Sequence, residues 1–537
     1  MYWKPLAVAA AAGAATCIAL HGRSVRGHYG GWALLIGTLW LYFAILNRSD
    51  SVLSALLTTS ALFSTYVSTA LGVTALYRLS SWHPLAAYPG PRLAKLSSLW
   101  LTYVSHTGKR YEILDALHAQ YGPFLRVGPN HITVNSASAT SLYLHTEKSE
   151  AYRHPAHNGH VALFFKQDAP EHHRARKRVW SGFFTPTSIA GLLPQLERRT
   201  WELVQCIEMR QSQSSNGVVD LATCLYQWAH DFMGDMVFGG CNSFELMKNG
   251  DPDGIVNTGK VALGLLDSVG QTQWFLDVLW HLSITKPMYA IEKLAAQMMR
   301  TRVHSKQLPE YRDLTSYLLQ ADVPLHEMET DAIVAILGGS DNTSITTSLA
   351  IFFILCHKEY YHRLRRELDD AFPDPMAPLL TDELSALPFL NGVINETLRL
   401  ASPYYNPRVA PPGGIDLDGK YIPGGTIVAI SAHSVQTSAD NFYPAPKDFH
   451  PERWLPEGLG PRTITNKAVL SSFSFAYHQM RYALTRLMLA FDIEFEKGFD
   501  AKGFREGILN MRTMFLTRDL RVVVRRRPAI NYEKLVF

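Results

Sequence analysis

The stretch from Asp382 to Pro456 constrains this chain more than any other. It opens D-E-L-S-A-L-P-F-L-N-G-V-I-N-E-T-L-R-L, continues through N-P-R-V-A-P-P-G-G and closes on F-H-P-E-R-W-L-P. Leu387, Leu390, Ile394 and Leu398 recur at helical spacing, and Glu396 and Arg399 stand three apart on one face. Alone, such a pair is a solvated helix contact worth about 0.2–0.5 kcal/mol. The residues C-terminal to it raise its weight. Pro403 and Pro407 are expected to end the helix. From Val409 to Ile430, strand residues are punctuated by Gly413, Gly414, Gly419, Gly424 and Gly425, the pattern of a small sheet with tight turns. Pro451-Glu452-Arg453-Trp454 then supplies a second arginine. Two arginines around one buried carboxylate form a network that costs about 3–5 kcal/mol to break. Such a network pins irregular chain against a helix.

Upstream, three apolar segments come first: Pro5 to Leu20, Gly31 to Leu46 and Val52 to Tyr77. A membrane span needs about 20 apolar residues, so the third is long enough and the first two are marginal. Lys4 and the small residues after it also allow the first to be a signal peptide. Residues 1–80 are read as a membrane anchor of one to three transmembrane helices. Arg23 and Arg26 lie in the first loop, Arg48 is offset by Asp50 in the second, and Arg78, Arg92 and Lys95 follow the third. With three spans, the first loop and the main body share the more basic side, which places the body in the cytosol. The remaining 81–537 is long enough for one large core, and 47% hydrophobic residues argue against disorder. A net charge of +4, with both signs mixed, gives no footprint for nucleic acid. Five scattered cysteines (Cys17, Cys206, Cys224, Cys241 and Cys356) form no paired spacing, so neither a disulfide framework nor a zinc site is indicated.

Several shorter stretches carry chemistry. Pro89-Gly90-Pro91 stiffens the passage from anchor to body. A helix is expected from Tyr111 to Tyr121, ended by Gly122, then a hairpin from Phe124 to Val134 around Gly128-Pro129-Asn130. Pro170 to Trp180 reads P-E-H-H-R-A-R-K-R-V-W, with His173, Arg176 and Lys177 on one helical face. That face either is solvated or holds the carboxylates of a buried ligand. Trp274, Phe275, Leu279 and Trp280 form an aromatic–apolar cluster suited to core packing. Asp331 to Cys356 is an apolar helix interrupted at Gly338-Gly339-Ser340-Asp341-Asn342-Thr343. Two glycines inside a helix cost up to about 2 kcal/mol against alanine, a cost accepted where something large approaches the backbone. Asp341, Ser340 and Thr343 would then offer polar groups in an open groove.

These motifs, in this order, resemble the cytochrome P450 family, the haem-thiolate monooxygenases, over nearly all of the chain after its first 80 or so residues. The resemblance implies a mainly α fold with small β-sheets, preceded by N-terminal transmembrane segments. It implies haem b (iron protoporphyrin IX) as cofactor and a monooxygenase that oxidises an apolar specialised metabolite with O2. Electrons would come from NADPH–cytochrome P450 reductase, at the endoplasmic reticulum membrane. Glu396, Arg399 and Arg453 match the residues that lock the core helix to the loop beside the haem. His173, Arg176 and Lys177, with Arg408, match the haem-carboxylate donors. Asp341, Asn342 and Thr343 match the oxygen groove, with Asn342 standing where the family has threonine. The helix Asp231 to Gly239 matches a structural element. Trp274, Phe275, Leu279 and Trp280 fall in the family's mobile lid, as substrate-contact candidates.

One family feature is missing. Ser472-Phe473-Ser474-Phe475 joins directly to Ala476-Tyr477-His478-Gln479-Met480-Arg481, where the family places a glycine-rich loop carrying the proximal cysteine. No other cysteine is positioned to substitute; His478 and Met480 are the nearby residues of iron-binding type. Two readings remain open: a monooxygenase whose ligand loop is lost between Phe475 and Ala476, or a non-catalytic binding protein that keeps the fold and an apolar pocket.

Overall fold

The computed structural model describes residues 3–531 except 24, 50, 143–145, 154–162, 167–169, 242–243, 253, 283–284, 306–308, 310, 402–404, 471–473 and 512. Pro403, Ser472 and Phe473 therefore lie outside the described residues. The chain is mainly helical, with small sheets. Three helices, Trp3–Leu20, Gly27–Leu46 and Val52–Leu79, are long and apolar enough to cross a membrane. The first packs on the third: Gly13 lies against the backbone of Tyr66, and Tyr66 bonds Thr16 at 3.0 Å. The second packs on the third too, and also on the short helix Gln273–Leu279. There Gly27 lies against the Trp274 backbone and its N–H donates to Asp277 Oδ2 at 3.2 Å.

Helix Arg110–Tyr121 ends at Gly122, whose φ of 94° suits glycine, and strands Phe124–Gly128 and His131–Val134 pair as a hairpin. A five-stranded sheet builds on it. His131–Val134 runs parallel to Ile427–Ile430, which pairs antiparallel with Arg408–Val409, which pairs with Glu147–Lys148. That register sets Lys148 opposite Arg408.

The main core gathers around the central helix, Leu325–Cys356, packed against Leu221–Phe238, Lys286–His304 and the last long helix, Ser474–Ala490. The central helix starts six residues before the expected Asp331, after Pro324, and runs unbroken through the glycine pair. Gly339 lets Met233 of the neighbouring helix close in, since a Cβ there would overlap its side chain. Gly338 faces open space.

The expected helix after Asp382 is two helices, Thr381–Ala386 and Pro388–Leu400, because Pro388 starts a new first turn. Glu396 and both arginines are fully buried. Arg399 grips Glu396 with two bonds of 2.8 and 2.7 Å and holds the carbonyls of Gln436 and Asp448 at 2.8 and 3.0 Å. Glu396 also accepts from the His450 N–H at 3.0 Å, Trp454 Nε1 at 2.9 Å and Arg453 Nε at 3.4 Å. One carboxylate thus ties helix Pro388–Leu400 to the Pro451–Trp454 turn. Gly392 allows that turn its closeness: a Cβ there would sit 2.8 Å from the Pro451 oxygen.

Candidate functional site

Between the central helix and helix Ile255–Gly270 lies a cavity of about 150 Å³ with mainly apolar walls. Phe164, Phe165, Leu263 and Leu337 line it, and Asp341 and Asn342 bring polarity to its central-helix wall. Asp341 is 1% exposed. Its Oδ1 accepts from Tyr226 Oη at 2.6 Å, while Oδ2 is buried with no hydrogen-bond partner. Burial pushes its carboxyl up to about 7, against the lowering by Tyr226 and by Lys260. Behind it, His230 Nε2 meets Ser340 Oγ at 3.0 Å and the ring stacks on Tyr226 with centroids 4.3 Å apart. Burial holds that imidazole down at about 4, so it is neutral. Asn342 Oδ1 accepts from Thr513 Oγ1 at 2.9 Å. Thr343 turns away from the cavity and donates to Gln479 Oε1 of the last helix at 3.2 Å. The three groove residues therefore separate: Asp341 and Asn342 reach the cavity, and Thr343 joins two core helices. Trp274, Phe275, Leu279 and Trp280 are not among the lining residues; Trp280 packs with Ala262, Val269 and Leu276 instead.

The basic helix, Pro170–Phe183, divides its cations in the same way. Arg176 is buried in ion pairs with Glu327 and Asp331, and Trp180 Nε1 donates to Asp331 Oδ2 at 3.1 Å. Arg176 thus fastens this helix to the start of the central one. His173 and Lys177 face the other way, toward Lys148 and Arg408. Burial and then the charges of Lys148, Lys177 and Arg408 hold His173 down at about 4. Burial, then Arg408 and Lys177, bring Lys148 down to about 7. Lys148 Nζ donates to the carbonyls of Leu163 and Phe164 at 2.6 and 2.8 Å, so the cluster borders the cavity through Phe164. Sequence reasoning missed Lys148. Its only signal was the strand register that brings it across from Arg408, 260 positions away.

Basic side chains gathered this closely suit a ligand with two carboxylates, as haem has. The iron side does not fit. Among the described residues no cysteine lines the cavity: Cys17 is in the first apolar helix, Cys206 and Cys224 are buried elsewhere in the core, Cys241 follows the end of helix Leu221–Phe238, and Cys356 is exposed. Cys356 lies fifteen residues beyond Asp341 on one straight helix, roughly 22 Å at 1.5 Å per residue. The last helix starts at Ser474, and Phe475 is buried against Phe184 and Phe232, with ring centroids 6.0 Å from each. Met480 is spent in the core, and His478 is not a lining residue of the cavity. Basic side chains that could meet a ligand's carboxylates gather here, and among the described residues no cysteine thiolate stands near them.

Comparison with known proteins supplies the remaining context. A family model described as Cytochrome P450 matches residues 89–514. Cytochrome P450 monooxygenase notG' of Aspergillus versicolor is 28% identical over 477 residues, covering 84% of each chain. Tryprostatin B 6-hydroxylase of Aspergillus fumigatus is 28% identical over 473 residues, covering 82% of this chain and 80% of its own. Cytochrome P450 67 of Uromyces fabae is 28% identical over 466 residues, covering 80% and 84%.

Proposed function

The chain belongs to the cytochrome P450 family, and we propose that it is a membrane-anchored monooxygenase oxidising an apolar specialised metabolite. In this reading, residues 1–80 are the anchor and 81–537 the catalytic domain. The domain faces the cytosol from the endoplasmic reticulum and receives electrons from NADPH–cytochrome P450 reductase. The observation that carries the reading is the basic cluster of Lys148, Lys177 and Arg408, with a neutral His173 beside it, bordering an apolar cavity walled by Asp341 and Asn342. Haem b would supply oxygen activation, and those cations would hold its carboxylates. Arg176 positions their helix through Glu327 and Asp331. Asp341, neutral or charged near pH 7, holds or releases a proton, and Asn342 hydrogen-bonds beside it without serving as a hydroxyl relay, so proton delivery runs through water. The apolar wall excludes water and orients the substrate.

A second reading, a binding protein without catalysis, is favoured by the packed Phe475–Ala476 junction, where no thiolate is at hand. One experiment divides the two. Expressed with its present sequence, the chain is expected to give no thiolate-type Soret band when reduced under carbon monoxide, and little turnover with reductase and NADPH. Insertion of a family-type cysteine loop between Phe475 and Ala476 should bring the band back. A thiolate band from the unaltered chain refutes the ligand assignment. A loop-bearing chain that binds no haem favours the binding protein. The anchor is tested separately: the chain should resist salt extraction from membranes, and removal of residues 1–78 should release most of it.

A further inference from the structure

We propose that the cavity beside the central helix takes a largely apolar ligand carrying one N–H or O–H group, which donates a hydrogen bond to Asp341 Oδ2. This names a ligand class for the site already proposed to bind substrate, and so rests on that reading. A single buried oxygen points to it. Asp341 is 1% exposed, its Oδ1 is occupied by Tyr226, and Oδ2 has no partner. Leaving a buried acceptor without a protein donor is costly, more so when it is charged. The neighbouring donors are committed elsewhere: Ser340 Oγ to the Ile336 carbonyl at 2.7 Å, Thr343 to Gln479, and Thr513 to Asn342. When the carboxyl is ionised, a donor carried by the ligand would pair with Oδ2. The remaining wall, including Phe164, Phe165, Leu263 and Leu337, rewards apolar bulk at about 25 cal/mol per Å² buried. An ether or ketone of the same shape would set acceptor against acceptor.

Three probes of similar shape separate the cases: diphenylamine, 2-phenylphenol and diphenyl ether, titrated calorimetrically at pH 8 into the full chain held in lipid nanodiscs. The two donors are expected to bind at least about tenfold tighter than the ether. Comparing the amine with the phenol shows whether N–H or O–H is preferred. Asp341→Asn keeps an acceptor for Tyr226 but replaces Oδ2 with an N–H donor, and should erase or invert the preference. Leu337→Trp, which fills the cavity, should weaken all three probes together. Equal binding of donors and ether, no binding at all, a preference that survives Asp341→Asn, or probes indifferent to Leu337→Trp would each overturn the proposal. The readout needs no turnover. A donor preference in a chain that never yields a thiolate spectrum leaves this inference standing and removes the monooxygenase reading. A restored spectrum without the preference does the reverse.

Discussion

Two charged clusters of this molecule are built on opposite plans. Around Glu396, one carboxylate meets two guanidiniums, an indole N–H and a backbone N–H, and Arg399 spends further donors on nearby carbonyls. Around Lys148, four basic side chains converge, and burial and then the charges of its neighbours lower Lys148 and His173. The first cluster is complete when the protein has folded. The second, in the reading proposed above, is complete only when an anionic ligand enters. The difference shows in protonation: burial and crowding lower Lys148 to about 7 and His173 to about 4. A closed network is a fastening, and an open one is a socket.

The strongest way to break this contrast is Glu396→Ala. It leaves Arg399 and Arg453 buried without their carboxylate, at about 3–5 kcal/mol, and should abolish soluble folded domain. A variant that melts like the parent, followed by circular dichroism, would show that the cluster is not a fastening. Next comes pH. The lowered value of Lys148 means that between about 7 and its ordinary 10.5 the unfolded chain binds more protons than the folded one. Stability without ligand should therefore climb as pH rises through that window. Lys148→Met should flatten the climb by roughly 1–3 kcal/mol in denaturant titrations, screening and the two carbonyl bonds reducing the effect.

Asp341 has the opposite sign. Its raised value means the folded state binds the extra proton from about pH 4 to 7, so stability falls across that range. Asp341→Asn should remove the fall and raise stability at pH 7 by about 1–2 kcal/mol; an unchanged slope would mean the carboxyl is solvated. The smallest effect belongs to the exposed pair Arg525–Glu494, 3.2 Å apart with both side chains about two-thirds exposed. Arg525→Ala should cost no more than about 1 kcal/mol and serves as the control for a fully wet ion pair.

The fastening was legible in the sequence and the socket only partly so. Glu396 and Arg399 share a helical turn, and Arg453 follows in a compact P-E-R-W, so local spacing carries most of that network. The hairpin from Phe124 to Val134 was equally local, set by its turn residues. The socket is assembled by long-range pairing. Lys148 reaches Arg408 through the register of two-residue strands, too short to announce themselves. Helical periodicity put His173, Arg176 and Lys177 on one face, yet a face is wide enough for Arg176 to turn toward Glu327 while its neighbours turn away. The same holds for Thr343, drawn off by Gln479 from a helix 136 positions later. Tyr226 and His230, which shape the surroundings of Asp341, carried no motif because their role depends on which helix crosses the central one.

The contact at Gly27 bears on how this protein can be re-engineered. Apolar helices are commonly treated as interchangeable, one membrane tether standing in for another of similar length. Here the second helix holds the body at a defined point, through a glycine that admits the Trp274 backbone and an N–H bonded to Asp277. A replacement tether would match its oiliness and lose its footing. Chimeras that keep this body should therefore be joined before Gly27, so that the second helix stays with it.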